Sequence, residues 1–74
     1  METSIRNFCE NIRQRKEEYR LSDRQLAMLL GISIFSVRKL LQGEVPRQLG
    51  ADTVVRAAVF FDCPLSDLFA PPHK

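Results

Sequence analysis

The chain has 74 residues, of which 45% are hydrophobic and 27% are charged, and this composition is typical of one small globular domain. Such a length leaves no room for a second domain or a buried catalytic cleft, so we do not expect an enzyme. The formal net charge of +2 is weak evidence for an anionic partner, and no apolar run approaches the roughly 20 residues that span a membrane.

The first predicted helix covers residues 4 to 19, with Thr3 or Ser4 as its cap. Apolar side chains recur along it at the spacing of one helical face, and we expect them to face the core: Ile5, Phe8, Ile12 and Tyr19. Lys16 falls on the same face, where an ammonium group is unusual. We expect its aliphatic stem to cover apolar surface while its charge reaches water or an acid such as Glu44.

Two short helices joined by a sharp turn are predicted between residues 22 and 42. Ser22 and Gln25 have the spacing of a capping box, which marks the start of the first of these helices. Gly31 can adopt the left-handed conformation that ends it, and Ser33 is placed to cap the next helix. Inward-facing stripes on the two helices are formed by Leu26, Leu29, Leu30, Val37, Leu40 and Leu41. This pattern predicts a helix-turn-helix.

The spacing of the packing residues resembles that of the phage repressor and Cro-type regulators, the XRE family. The residues that carry the resemblance are Leu26, Ala27, Leu30, Gly31, Ile32, Val37 and Leu40. The resemblance extends from about residue 12 to residue 69. It implies an all-α, five-helix, lambda-repressor-like fold that binds double-stranded DNA. The chain as a whole is expected to form one domain over residues 1 to 74, with residues 1 to 3 and 70 to 74 frayed. Because one such domain offers few base contacts, we expect it to act as a homodimer.

The outward face of the second motif helix is the expected reader of DNA bases. A helical wheel places Phe35, Arg38, Lys39 and Gln42 opposite the core direction. Arg38 can form a bidentate pair with guanine, Gln42 can read adenine, and Lys39 suits guanine or phosphate. The complete set of predicted base contacts is Ser33, Ile34, Phe35, Arg38, Lys39 and Gln42.

Ile34 and Phe35 depart from the family, whose members often have Gln and a small polar residue at these positions. One interpretation is that both touch thymine methyl groups, or that Phe35 acts as an apolar wedge at a flexible base step. The other is that Ile34 is half buried and Phe35 contacts a protein.

Two arginines are predicted phosphate ligands. Arg24 lies at the start of the first motif helix, and Arg47 lies in the Gly- and Pro-containing loop from residue 43 to residue 50. Asp23 stands where the family often has a phosphate-binding Gln. A carboxylate would repel phosphate, so Asp23 is expected to act as an anion at the helix end.

The fourth helix is predicted over residues 53 to 61, with Asp52 as its cap and Asp62 as a left-handed residue at its end. A short last helix follows within residues 64 to 69. Val54, Ala58 and Phe61 form the inward stripe of the fourth helix, but its apolar surface exceeds one buried face. Either the last helix folds over this surplus, or a second subunit covers it. The predicted dimer interface is Val59, Phe60 and Phe69.

These observations predict a small transcriptional regulator, either a repressor or an autoregulator, that binds a palindromic operator as a dimer. The chain start lacks the basic and long apolar regions of a signal peptide, so we expect the cytoplasm, on the nucleoid. Cys9 and Cys63 have no metal-ligand spacing and are expected to be small buried hydrophobic residues, so we expect no metal and no cofactor. The alternative is a protein-interaction module that keeps the fold without specific DNA binding.

Overall fold

The computed structural model describes residues 2–44 and 49–72, and this part of the chain contains five α-helices and no β-strand. The helices are α1 (Glu2–Glu18), α2 (Asp23–Leu30), α3 (Ile34–Leu41), α4 (Ala51–Phe61) and α5 (Leu65–Phe69). The prediction of an all-α fold is therefore confirmed for the described residues. Residues 2 and 3, expected to be frayed, instead form the first turn of α1, whereas Met1, His73 and Lys74 lie outside the described residues.

The start of α2 and the start of α3 are fixed by side-chain caps. Ser22 Oγ accepts from the amide of Gln25 at 3.1 Å, and Gln25 Oε1 accepts from the amide of Ser22 at 2.8 Å. Ser33 Oγ accepts from the amide of Ser36 at 3.1 Å. Each bond satisfies an amide that the helix itself leaves unpaired, so both predicted caps are confirmed.

Four helices end with one residue in the left-handed conformation. These residues are Arg20 (φ 55°), Gly31 (φ 72°), Gly43 (φ 89°) and Asp62 (φ 53°). After each of them, the next amide donates to a carbonyl five residues back, for example from Ile32 to Ala27 at 3.1 Å. This is the Schellman motif, and it confirms the left-handed geometry predicted for Gly31 and Asp62.

Tyr19 does not face the core, and that prediction is wrong. The left-handed conformation of Arg20 ends α1 at Glu18, so Tyr19 lies in the following turn and is 50% exposed. Its ring still contacts the aromatic rings of α4, with centroids 6.0 Å from Phe60 and 5.1 Å from Phe61. The residue therefore covers the edge of the core instead of filling it.

The start of α4 also differs from the prediction. Gly50 is the N-cap, and α4 begins at Ala51. Asp52 lies within the first turn and makes no cap bond, although its charge still stands at the positive end of the helix. The buried face of α4 is formed by Thr53, Ala57, Ala58 and Phe61, with Val54 half buried beside it.

One core unites the five helices. α1 packs against α3 and α5, α2 packs against α3 and α4, and α4 packs against α5. The core consists of Phe8, Cys9, Ile12, Leu26, Ala27, Leu30, Val37, Leu40, Ala57, Ala58, Phe61 and Leu68. Because the inner faces of α2 and α3 are both used in this core, their outer faces are exposed.

Asn11 ties α5 to α1, which was not predicted. Its side-chain amide is 4% exposed and donates to the carbonyl of Leu68 at 2.8 Å and to that of Ala70 at 2.9 Å. Asn7 donates to the carbonyl of Phe69 at 3.2 Å. These carbonyls end α5, where the helix supplies no amide, so two asparagines of α1 replace the missing donors.

Candidate nucleic-acid interface

The two faces of α3 differ sharply in burial and in chemistry. The inner face buries Ser36, Val37 and Leu40. The outer face exposes Phe35, Arg38, Lys39 and the C-cap residue Gln42, as the helical wheel predicts. Phe35 is 76% exposed, which makes it the most exposed large hydrophobic side chain in the described part of the chain. Two cations, one amide and one aromatic ring therefore share one accessible helix face.

The other two predicted base-contact residues are engaged within the domain. Ser33 is exposed, but its hydroxyl caps α3 and lies 3.1 Å from the hydroxyl of Ser36. Ile34 is half buried and packs against the core. Base contact by both residues stays a prediction.

Asp23 links α2 to both neighbouring helices. One of its carboxylate oxygens lies 3.3 Å from Lys16 Nζ of α1, and the other lies 3.7 Å from Arg38 Nε of α3. The first contact gives Lys16 an acid different from the Glu44 considered in the sequence analysis. The second places a negative charge beside the guanidinium group that is the strongest predicted base reader.

Arg13 holds the carboxyl end of α3. Its guanidinium group donates to the carbonyl of Leu41 and forms an ion pair with Glu10 at 3.1 Å. A cation at this end is favourable because the last carbonyls of a helix are unpaired and carry partial negative charge. Arg13 thereby fixes the end of α3 to α1, a role that the sequence analysis missed.

The phosphate candidates are only partly described. Arg24 is exposed in the first turn of α2, whereas Arg47 lies outside the described residues. Arg56 of α4 was missed: its guanidinium group lies 3.4 Å from the position that a Cβ atom on Gly31 would occupy. The turn between α2 and α3 therefore has a cation from a distant helix against it.

Charge is distributed unevenly along the chain. From Arg24 to Gly43 there is no acidic residue, and the cations in that stretch are Arg24, Arg38 and Lys39. Asp23 directly precedes this stretch and already has two cationic neighbours. With three cations and no acid, residues 24 to 43 carry a net charge of +3, against +2 for the whole chain.

The residues predicted for the dimer interface lie in different environments. Val59 is 74% exposed on α4, and Phe60 is 47% exposed. Phe69 is half buried because its ring stacks on Phe8 with centroids 5.2 Å apart. The exposed apolar surface on α4 is therefore centred on Val59 and Phe60, and an open depression beside it is lined by Val55, Val59 and Leu65.

The described residues contain no group of three or more His, Cys, Asp or Glu side chains that could hold a metal ion. Within the same ranges, no helix is both long and apolar enough to cross a membrane. Cys9 is buried and Cys63 is half buried, so the expectation of burial is met fully by Cys9 alone. Burial raises the pKa of the Cys9 thiol above its ordinary value.

No protein-family model matches the sequence, and comparisons with curated proteins and with solved structures give no significant match. The function must accordingly be argued from the geometry of the domain itself.

Proposed function

We propose that this chain is a sequence-specific double-stranded DNA-binding protein that acts as a small transcriptional regulator, either a repressor or an autoregulator. In this proposal α2, the Gly31 turn and α3 form a helix-turn-helix of the lambda-repressor-like type, and α3 enters the major groove. The protein works in the cytoplasm, on the nucleoid, without a cofactor or a catalytic step. It regulates by occupying its operator.

The exposed face of α3 is the observation that carries the proposal. Arg38 and Lys39 can donate to guanine, Gln42 can pair with adenine, and Phe35 can contact a thymine methyl group. These side chains project from a helix whose two ends are fixed, at Ser33 by its cap and at Leu41 by Arg13. A rigid helix limits the conformational freedom that is lost when such side chains bind.

In this proposal Arg24, Arg47 and Arg56 contact phosphates, and Arg56 is included because its guanidinium group lies against the Gly31 turn. Each cation that neutralises a phosphate contributes affinity that does not depend on sequence and that falls as salt rises. Because one domain offers few base contacts, the proposal includes a homodimer in which α4 residues Val59 and Phe60 meet a second copy. Two α3 helices then read half-sites about 34 Å apart, one turn of DNA.

Enrichment from a pool of random DNA duplexes tests this function, with the purified protein at about physiological salt so that weak non-specific binding is screened. We expect a palindrome with half-sites about 10 base pairs apart. The matched test variant is Arg38→Ala, which removes an exposed side chain and should lose the preference at one position of each half-site.

If the folded protein enriches no sequence, the proposal of sequence-specific DNA binding is refuted. It would favour the second candidate, a protein-interaction module, because a phenylalanine that is 76% exposed can equally anchor a protein contact.

A further inference from the structure

We propose that Asp23 is a positioning residue that holds Arg38 in the orientation for reading guanine, and that it thereby contributes sequence specificity while weakening general attraction to DNA. This inference rests on the proposed function of α3. It assigns a role to a carboxylate that stands on the DNA-facing side of the domain, where a negative charge would otherwise only repel phosphate.

The backbone of Asp23 is held in a defined place. The residue is the first of α2 and lies between Ser22 and Gln25, whose side chains form the capping box. Its carboxylate is held from the other side by Lys16 of α1, at 3.3 Å. The capped helix start therefore fixes the backbone of Asp23, and its carboxylate has a cationic neighbour on α1 before Arg38 is considered.

The ion pair between Asp23 and Arg38 joins the carboxylate to one of the three guanidinium nitrogens. The carboxylate oxygen Oδ2 faces Nε of Arg38, at 3.7 Å, and this distance corresponds to an ion pair longer than a hydrogen bond. Guanine recognition uses two parallel donors of a guanidinium group. An acid at Nε leaves the two terminal nitrogens, Nη1 and Nη2, available for the O6 and N7 atoms of one guanine.

The ion pair between Asp23 and Arg38 adds little to the stability of the free protein, because the Arg38 side chain is 62% exposed and that of Asp23 is 37% exposed. Exposed pairs of this kind contribute little to stability, since water and salt screen them. When the groove of DNA displaces that water, the same charges attract more strongly. The orientation of Arg38 is thus reinforced in the bound state, where it decides which base is accepted.

Asp23→Asn separates this role from simple repulsion, because it keeps the shape of the side chain and removes the charge. Loss of one negative charge alone would tighten binding to all duplexes alike. If Asp23 also positions Arg38, the same substitution would in addition reduce the preference for guanine. Asp62→Asn is the matched control, since it also removes one charge, and asparagine tolerates the left-handed conformation that Asp62 adopts.

The experiment measures dissociation constants for the duplex selected by the wild-type protein and for duplexes with each guanine replaced. The guanine read by Arg38 is the one whose replacement no longer matters to Arg38→Ala. We expect Asp23→Asn to reduce the preference for that guanine by about three- to tenfold, which lies in the lower part of the range of coupling between neighbouring side chains. Binding to non-specific duplexes should be unchanged or tighter, and Asp62→Asn should keep the wild-type preference.

A double-mutant cycle completes the test. In the Arg38→Ala background, Asp23→Asn should cause no further loss of preference, because the residue acts through Arg38. The positioning role is overturned if Asp23→Asn retains the guanine preference while circular dichroism shows that the variant is folded. It is also overturned if Asp23→Asn lowers the preference by the same factor in the Arg38→Ala background as in the wild type. If the wild-type protein selects no sequence at all, the proposed function itself fails; selection by the wild type with an unchanged Asp23→Asn variant rejects the positioning role alone.

Discussion

Replacement of Asn11 by alanine should destabilise the domain more than any other single polar truncation in α1. The side-chain amide donates two short hydrogen bonds, to the carbonyls of Leu68 and Ala70. A hydrogen bond contributes about 1 kcal/mol net, and a buried carbonyl left without a donor costs about 1 to 3 kcal/mol. The expected loss is therefore about 2 to 4 kcal/mol, a large share of the roughly 4 to 11 kcal/mol typical of a chain of this length.

Urea titration measures this loss when unfolding is followed by the circular dichroism signal of the helices. The comparison holds if the slope of the unfolding free energy against urea concentration is the same for both proteins. Asn7→Ala is the matched control, because it removes a single, longer bond of 3.2 Å to Phe69 from a half-buried position. We expect about 0.5 to 1 kcal/mol for this control. If Asn11→Ala lowers the free energy of unfolding no more than Asn7→Ala does, the two hydrogen bonds from Asn11 are not what holds α5 in place.

Four further predictions concern other parts of the domain. Arg38→Ala should weaken binding to the selected duplex by about 1 to 3 kcal/mol and relax the choice of one base, whereas equal weakening for every duplex would indicate a phosphate contact. Val59→Glu should give a folded monomer in sedimentation, and a persistent dimer would place the interface elsewhere. Gly31→Ala should cost about 1 to 2 kcal/mol in thermal or urea unfolding because of the positive φ, and an unchanged midpoint would contradict this strain. Iodoacetamide should modify Cys63 before Cys9, because burial raises the pKa of the Cys9 thiol and limits access to it; equal rates would contradict that difference.

Local signals predicted the α2–α3 segment well. The capping box at Ser22, the left-handed Gly31 and the cap at Ser33 each depend on bonds between residues no more than five positions apart. Backbone sterics and unpaired amides decide such features without help from the rest of the chain. The exposed face of α3 follows in the same way, since a helical wheel needs only the core direction. Contact of that face with DNA remains a prediction.

The features that sequence reasoning missed depend on distant residues. Asn11 meets carbonyls that lie 57 and 59 positions further along the chain, and a polar residue within a helix gives no sign of such partners. The contact between Asp23 and Arg38 likewise requires the packing of α2 against α3. Tyr19 was misplaced for a different reason: Arg20 takes the left-handed conformation although no glycine marks it.

The division of α3 into two sets of residues has a consequence for how this protein can change. The side chains that fill the core, Val37 and Leu40, are different from those that face outward, Phe35, Arg38 and Lys39. Substitutions on the outer face leave the core side chains in place, and surface changes of this kind usually alter stability by less than about 0.5 kcal/mol. A new target preference can therefore arise through single steps, each of which leaves a folded protein. The scaffold can be kept while its specificity diverges.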